Sequence, residues 1–211
     1  MEIIDISWPI TPQMTAYKDK KVVSFSYSNT FEKDNFCEST ITLGSHSGTH
    51  IDAPAHFLPD GETIEKFPLG LLIGECHVLD LTQVSEYISE GDLAYYDVIK
   101  ENRIILFKTS NSQTAVNQPF DSSFIYLTAS AAQYLVEHSV KAVGIDYLGI
   151  ERNQPNHETH KILMQNGIPI IEGLRLQHVQ PGTYFLWCLP LLVEGLEAAP
   201  ARAVLVKHNN K

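Results

Sequence analysis

Cysteine is scarce in this chain of 211 residues: Cys37, Cys76 and Cys188 stand far apart, and no Cys-x-x-Cys pair occurs. That excludes a disulfide framework and a thiolate zinc knuckle, and it predicts three small buried hydrophobes in a reducing cytoplasm. Long apolar runs are missing as well. The most apolar one, YFLWCLPLLV (Tyr184 to Val193), spans ten residues and contains Pro190, where a membrane span needs roughly 20. The start, MEIIDISWPI, is acidic and has no basic segment ahead of an apolar one, so no secretory signal is expected. These features predict a soluble, cytoplasmic protein that does not enter a membrane.

Clustered positive charge is also absent. Lys and Arg number 15 against 25 Asp and Glu, a net charge of −10, and no run of five like charges occurs. Phosphate-backbone binding needs clustered Lys and Arg, so nucleic acid is excluded as a partner. An interaction tail is excluded by the same observation. With no repeat, no low-complexity segment and no Gly/Ser linker, residues 1–211 are expected to form one domain. No Gly-x-Ser-x-Gly elbow appears, and no cysteine has an activating neighbour, which argues against a Ser or Cys nucleophile.

The remaining pattern is strand-rich. IIDISWPIT reads as a short strand broken by Pro9 and Pro12. FCESTITLGSH alternates and reads as a half-buried strand entering a histidine-rich loop. CHVLDL and RIILFKT read as further strands. In the second half, SFIYLT, ASAAQYLVEH (N-capped by Thr128) and VKAVGID follow a strand–helix–strand rhythm. NHETHKILMQN is then a helix ended by Gly167, followed by the strands IPIIEGL, GTYFLWCLP and ARAVLVKH. The expected class is α/β with some parallel pairing and more sheet than a doubly wound domain carries.

Chemistry concentrates in GSHSGTHIDAPAHF (Gly44 to Phe57), which places His46, His50, Asp52 and His56 within eleven positions. Gly48 and Pro54 disfavour a continuous helix here. In an extended segment His50 and Asp52, two apart, share a face. Imidazoles with a carboxylate suit zinc, or manganese where oxygen ligands dominate. Further ligands must come from elsewhere. Glu172 is the best candidate, because a carboxylate among Ile168, Ile170 and Ile171 is costly to bury unless paired or bound to metal. His157 and His160 can share a helix face, and the local pattern does not choose between them. Asp146 suits a strand-end functional group or a cap equally. His77, His138, His178 and His208 lack acidic or histidine neighbours and read as surface or structural.

The motif His46-Ser-Gly48-Thr49-His50-Ile-Asp52-Ala-Pro54-Ala-His56 resembles the hallmark of the cyclase-like metal-dependent hydrolases, which include bacterial kynurenine formamidase and isatin hydrolase. Similar segments extend through IIDIS, LPDGETIEKFPLGLLIGECHVLDL, HKILMQNGIPIIEGL and LPLLVEGLEAAPARAVLV. The resemblance implies a swivelling β/β/α architecture. It also implies two divalent ions, zinc or manganese, held by His46, His50, Asp52, His160 and Glu172, with Asp52 bridging. His56 would be the general acid/base for hydroxide attack on an amide carbonyl. A small-molecule substrate and a homodimer or larger homo-oligomer are implied too. N-formylkynurenine leads among substrates, with an isatin-like cyclic amide, a lactone, or a non-catalytic metal-stabilised binding protein as alternatives. MTAYKDKK departs from the family's Trp-Pro-Gly-like turn: Tyr17 stands for the pocket aromatic, and Lys18 and Asp19 replace Pro and Gly.

Overall fold

The structure is a computed structural model that describes residues 1–207; His208, expected to be surface or structural, lies outside the described residues. The strands of the first half are β1 (Glu2–Asp5), β2 (Ser24–Asn29), β3 (Glu38–Thr42), β4 (His50–Asp52), β5 (Ile73–Asp80) and β6 (Tyr87–Ile88). Those of the second are β7 (Ile104–Lys108), β8 (Tyr126–Leu127), β9 (Ala142–Ile145), β10 (Ile170–Glu172), β11 (Gly182–Pro190) and β12 (Ala198–Lys207). The helices are α1 (Phe31–Asp34), α2 (Glu90–Leu93), α3 (Ala129–Glu137) and α4 (Glu158–Gln165).

The main sheet runs β1-β12-β11-β5-β7-β9-β10-β4, and β4 also pairs with β12. That last pairing closes seven strands into a barrel-like ring, and β1 pairs with the C-terminal part of β12, its Ile4 packing against the barrel core. Closure removes the sheet edges that would otherwise need protection. The β5–β7, β7–β9 and β9–β10 pairs are parallel, and the remaining pairs of the main sheet are antiparallel. This is the strand-rich α/β class expected. The second strand–helix–strand unit, β9–α4–β10, pairs in parallel as expected, whereas in the first β8 pairs with β6 in a separate two-stranded sheet and not with β9.

Period-two alternation separates two cores. Ile104 and Leu106 of β7 face the barrel interior with Ile51, Ile171, Leu186 and Leu205. Ile105 and Phe107 face outward onto Ala131, Leu135 and Leu163 of α3 and α4. A strand buried on both sides must be apolar at every position, hence the uninterrupted run IILF. Thr128 does cap α3, its side chain accepting from the Ala131 N–H.

Two local expectations are corrected. The β2–β3 ribbon forms, but Glu38–Thr42 is exposed throughout rather than half-buried. Among the described residues its alternation faces no core, because β3 pairs there only with β2 in a separate two-stranded sheet. Cys37 is exposed with it, whereas Cys76 and Cys188 are buried as expected.

Candidate metal centre

The register of β10 against β4 assembles the centre. Ile171 pairs with Ile51 and Glu172 with His50. Both isoleucines belong to the barrel core, so the alternation turns His50, Asp52 and Glu172 to the opposite face. All three are buried. The helix α4 adds His160, also buried, from the outer layer. The loop before β4 adds His46, and a short helical turn at Pro54–His56 adds His56.

The two carboxylates divide their oxygens between two sets of imidazoles. Asp52 Oδ1 lies 3.0 Å from His46 Nδ1 and 3.4 Å from His50 Nε2, while Asp52 Oδ2 lies 3.5 Å from His160 Nε2. Glu172 Oε2 is 3.4 Å from His50 Nε2, and its Oε1 is 3.4 Å from His160 Nε2. These are close contacts without hydrogen-bond alignment: His50 Nε2 and both Asp52 oxygens are buried with no hydrogen-bond partner among the described residues. Buried polar atoms are rarely left so, and orphaned nitrogens and carboxylate oxygens aimed at common points are the donor set that a divalent cation requires. The residues fit the metal that the sequence resemblance implies. His50 is also fixed in the tautomer a metal needs, since its Nδ1 bonds the Gly48 carbonyl at 2.9 Å and leaves Nε2 free to ligate.

The electrostatics point the same way. Burial disfavours protonation of His50, but the Asp52 and Glu172 carboxylates outweigh it and raise its pKa to about 10. Burial disfavours ionisation of Asp52, yet the imidazoles of His160, His46 and His50 hold it well below the carboxylate range. Glu172, opposed by burial and by Asp52, is held at about 2 by His160 and His50. Protons on the imidazoles thus supply the positive charge the carboxylates demand, a role a bound cation fills while releasing them.

His56 lies beside this cluster, its ring 4.3 Å from that of His46 and 5.9 Å from that of His160. Burial, the leading cause, depresses its pKa. Tyr17 and His46 line one apolar cleft of about 190 Å³, together with Met14, Val22 and Leu148. Lys18 and Asp19 adopt φ of 52° and 57°, so the turn keeps a left-handed geometry that glycine would take without strain.

His157 and His160 part company. His157 precedes α4 rather than lying within it, and it is 57% exposed. Asp146 is a structural acceptor, bonding the Thr109 N–H and hydroxyl and the Ser112 N–H. His138 bonds the Tyr134 carbonyl and His77 the Thr183 hydroxyl; both are structural. Two acidic residues near the centre escaped the sequence reading. Glu197 lies 3.4 Å from His46 Nε2 and accepts from the Ser45 hydroxyl at 2.6 Å. Glu151 lies behind His160; its one local signal, a charge following the apolar YLGI, equals the one that exposed Glu172.

The chain resembles known proteins in sequence and in fold. The family model described as "Putative cyclase" matches residues 4–152. A kynurenine formamidase of Bacillus cytotoxicus is 30% identical over 206 residues, covering 97% of each chain. The solved structure of a potential metal-dependent hydrolase with cyclase activity superposes with a TM-score of 0.88 at 41% identity, covering 99% of both chains. An isatin hydrolase bound to the product analogue thioisatinate shares the fold, with a TM-score of 0.87 at 18% identity over 99% of this chain and 93% of that one.

Proposed function

The chain belongs to the cyclase family of metal-dependent hydrolases, and from that premise we propose that it hydrolyses a C–N amide bond at a two-metal centre, with an aryl formamide such as N-formylkynurenine as substrate. The observation that carries this reading is the division of the Asp52 and Glu172 oxygens between His46 and His50 on one side and His160 on the other. One cation would be held by His46, His50 and Asp52, a second by His160, and Asp52 and Glu172 would reach both. Three imidazoles and two carboxylates suit zinc, with manganese as the alternative. Such ions supply Lewis acidity, lowering the pKa of water and polarising a carbonyl.

The chain's own residues do the rest. His56, whose pKa burial depresses, takes a proton from the attacking water and returns it to the leaving nitrogen. The Gly48 carbonyl holds the His50 ring in place. Tyr17 and the apolar cleft receive the aromatic body of the substrate, shielding it from water.

A homodimer is part of the same proposal. The isolated β2–β3 ribbon, with α1 between its strands, exposes Phe25, Tyr27, Phe31 and Ile41, and a two-stranded ribbon without a packed face is marginal in water. A second copy of the chain would cover it, giving twice the monomer mass by light scattering.

The test is a metal titration paired with ultraviolet assays of N-formylkynurenine, isatin and simple lactones. Two equivalents of metal and turnover of the formamide are expected. Turnover of isatin or a lactone instead would overturn the substrate, and uptake of less than one equivalent would overturn the centre.

A further inference from the structure

Glu151 makes three contacts that converge on one element. Its Oε2 accepts from the backbone N–H of His160 at 3.2 Å and lies 3.1 Å from His160 Nδ1. Its Oε1 accepts from Nδ1 of His157. The residue is 6% exposed, and a buried carboxylate persists only where its charge is answered.

The start of α4 explains why this carboxylate is there. His157 occupies the N-cap position at φ 55° and ψ 50°, with no side-chain cap. Asn156 before it is also left-handed, at φ 57°. The usual Ser, Thr, Asp or Asn cap is therefore missing, and the third helical residue, His160, would keep an orphan N–H. Glu151 supplies the acceptor from outside the helix and places negative charge at its positive end. Because that third residue is also the imidazole facing Asp52 and Glu172, one carboxylate caps the helix and stands behind the ring.

Resting on the metal-centre reading above, we infer that Glu151 is a positioning residue for the His160 half of the centre. It directs the His160 ring so that Nε2 faces Asp52 Oδ2 and Glu172 Oε1, and its negative charge, 3.1 Å from Nδ1, favours the proton on that nitrogen and leaves Nε2 to ligate. His157 is the outer anchor: its bond holds Glu151 Oε1, leaving Oε2 for His160. Carboxylates behind metal-bound histidines typically contribute about 10–100-fold to affinity.

The test compares wild type, Glu151→Gln and His160→Ala by chelator competition, by the visible spectrum of added Co2+, and by thermal unfolding without metal. Gln keeps an oxygen to cap the His160 N–H but loses the charge. The expected result is an apo melting temperature within a few degrees of wild type and one equivalent bound about 10–100-fold more weakly. The weakened equivalent should be the one His160→Ala abolishes, and its Co2+ band alone should shift. Glu151→Asp, which keeps the charge on a shorter arm, should show a smaller loss at the same equivalent, and it carries the test if the Gln variant does not fold. Unchanged affinities at both equivalents would overturn the inference. So would equal weakening of both with a matching fall in apo stability, which is the signature of a helix cap alone. A wild type that took up no metal would overturn the proposed function instead, keeping the two failures apart.

Discussion

Gly173 and Gly48 meet so closely that a Cβ on Gly173 would lie 2.3 Å from the Gly48 carbonyl oxygen. Gly173 follows Glu172 at φ 71°, and the Gly48 carbonyl accepts from His50 Nδ1. One backbone contact therefore ties the last carboxylate to the orientation of the first buried imidazole. Gly173→Ala should lose at least about 2 kcal/mol from left-handed strain and steric overlap, or roughly 4–8 °C in melting temperature for a chain of this size. It should also weaken metal binding, because relieving the overlap moves the Gly48 carbonyl. Unchanged melting and metal affinity would contradict the contact.

Thr49 performs a related task through its hydroxyl, which accepts from the Trp8 N–H at 2.7 Å and donates to the Gly173 carbonyl at 2.6 Å. The side chain is 1% exposed, so water cannot replace either partner. Thr49→Val preserves shape but leaves a buried donor and a buried acceptor unpaired, a loss of roughly 2–4 kcal/mol. Thr49→Ser should recover most of it. Chemical unfolding of the two variants measures the difference, and equal stabilities would show that the hydroxyl bridge contributes little.

His56 sits against His46 but outside the shared carboxylate contacts. Its replacement should therefore separate chemistry from metal binding. His56→Ala should retain the wild-type metal content and lose about 10²–10⁴-fold in kcat, the usual contribution of a positioned acid/base. Loss of metal together with activity would make His56 a ligand instead.

Tyr17, 41% exposed on the cleft it shares with His46, leans on Phe120 with ring centroids 4.9 Å apart. Its removal takes away an aromatic contact worth roughly 1 kcal/mol. Tyr17→Ala should raise KM for an aryl substrate by several-fold and leave kcat nearly unchanged. Equal KM values in both proteins would place the substrate elsewhere.

Most of the centre is legible in local sequence because its constraints are local. His50 and Asp52 share a face by strand periodicity, and Glu172 stands out as a charge among isoleucines. Their meeting is not local: it depends on the antiparallel β4–β10 register, which no short window encodes. Glu151 escaped notice because its partners are six and nine residues away along a segment with three left-handed residues, Asn153, Asn156 and His157, a geometry without a periodic signature. The β2–β3 ribbon misled for the opposite reason. Its Ile/Thr alternation resembles a half-buried strand, yet burial depends on what packs against it, and among the described residues nothing buries it.

Asp146 offers a pH test that the metal centre does not dominate. Burial pushes its pKa from 3.8 up to about 6, even though Ser112 and Thr109 donate to the carboxylate and favour the ion. The folded protein thus takes up this proton more readily than the unfolded chain, whose aspartate titrates near 3.9. By linkage, the stabilising term is fully present below about pH 3.9 and is lost as pH rises through about 6. The size is on the order of 3 kcal/mol for a shift of about two units. Asp146→Asn removes the titration while keeping an acceptor for the Thr109 and Ser112 amides. Its stability relative to wild type should therefore climb between about pH 4 and 6.5 and level off above, as read from urea unfolding across that range. A stability difference that stays flat with pH would mean that Asp146 ionises alike in the folded and unfolded chains.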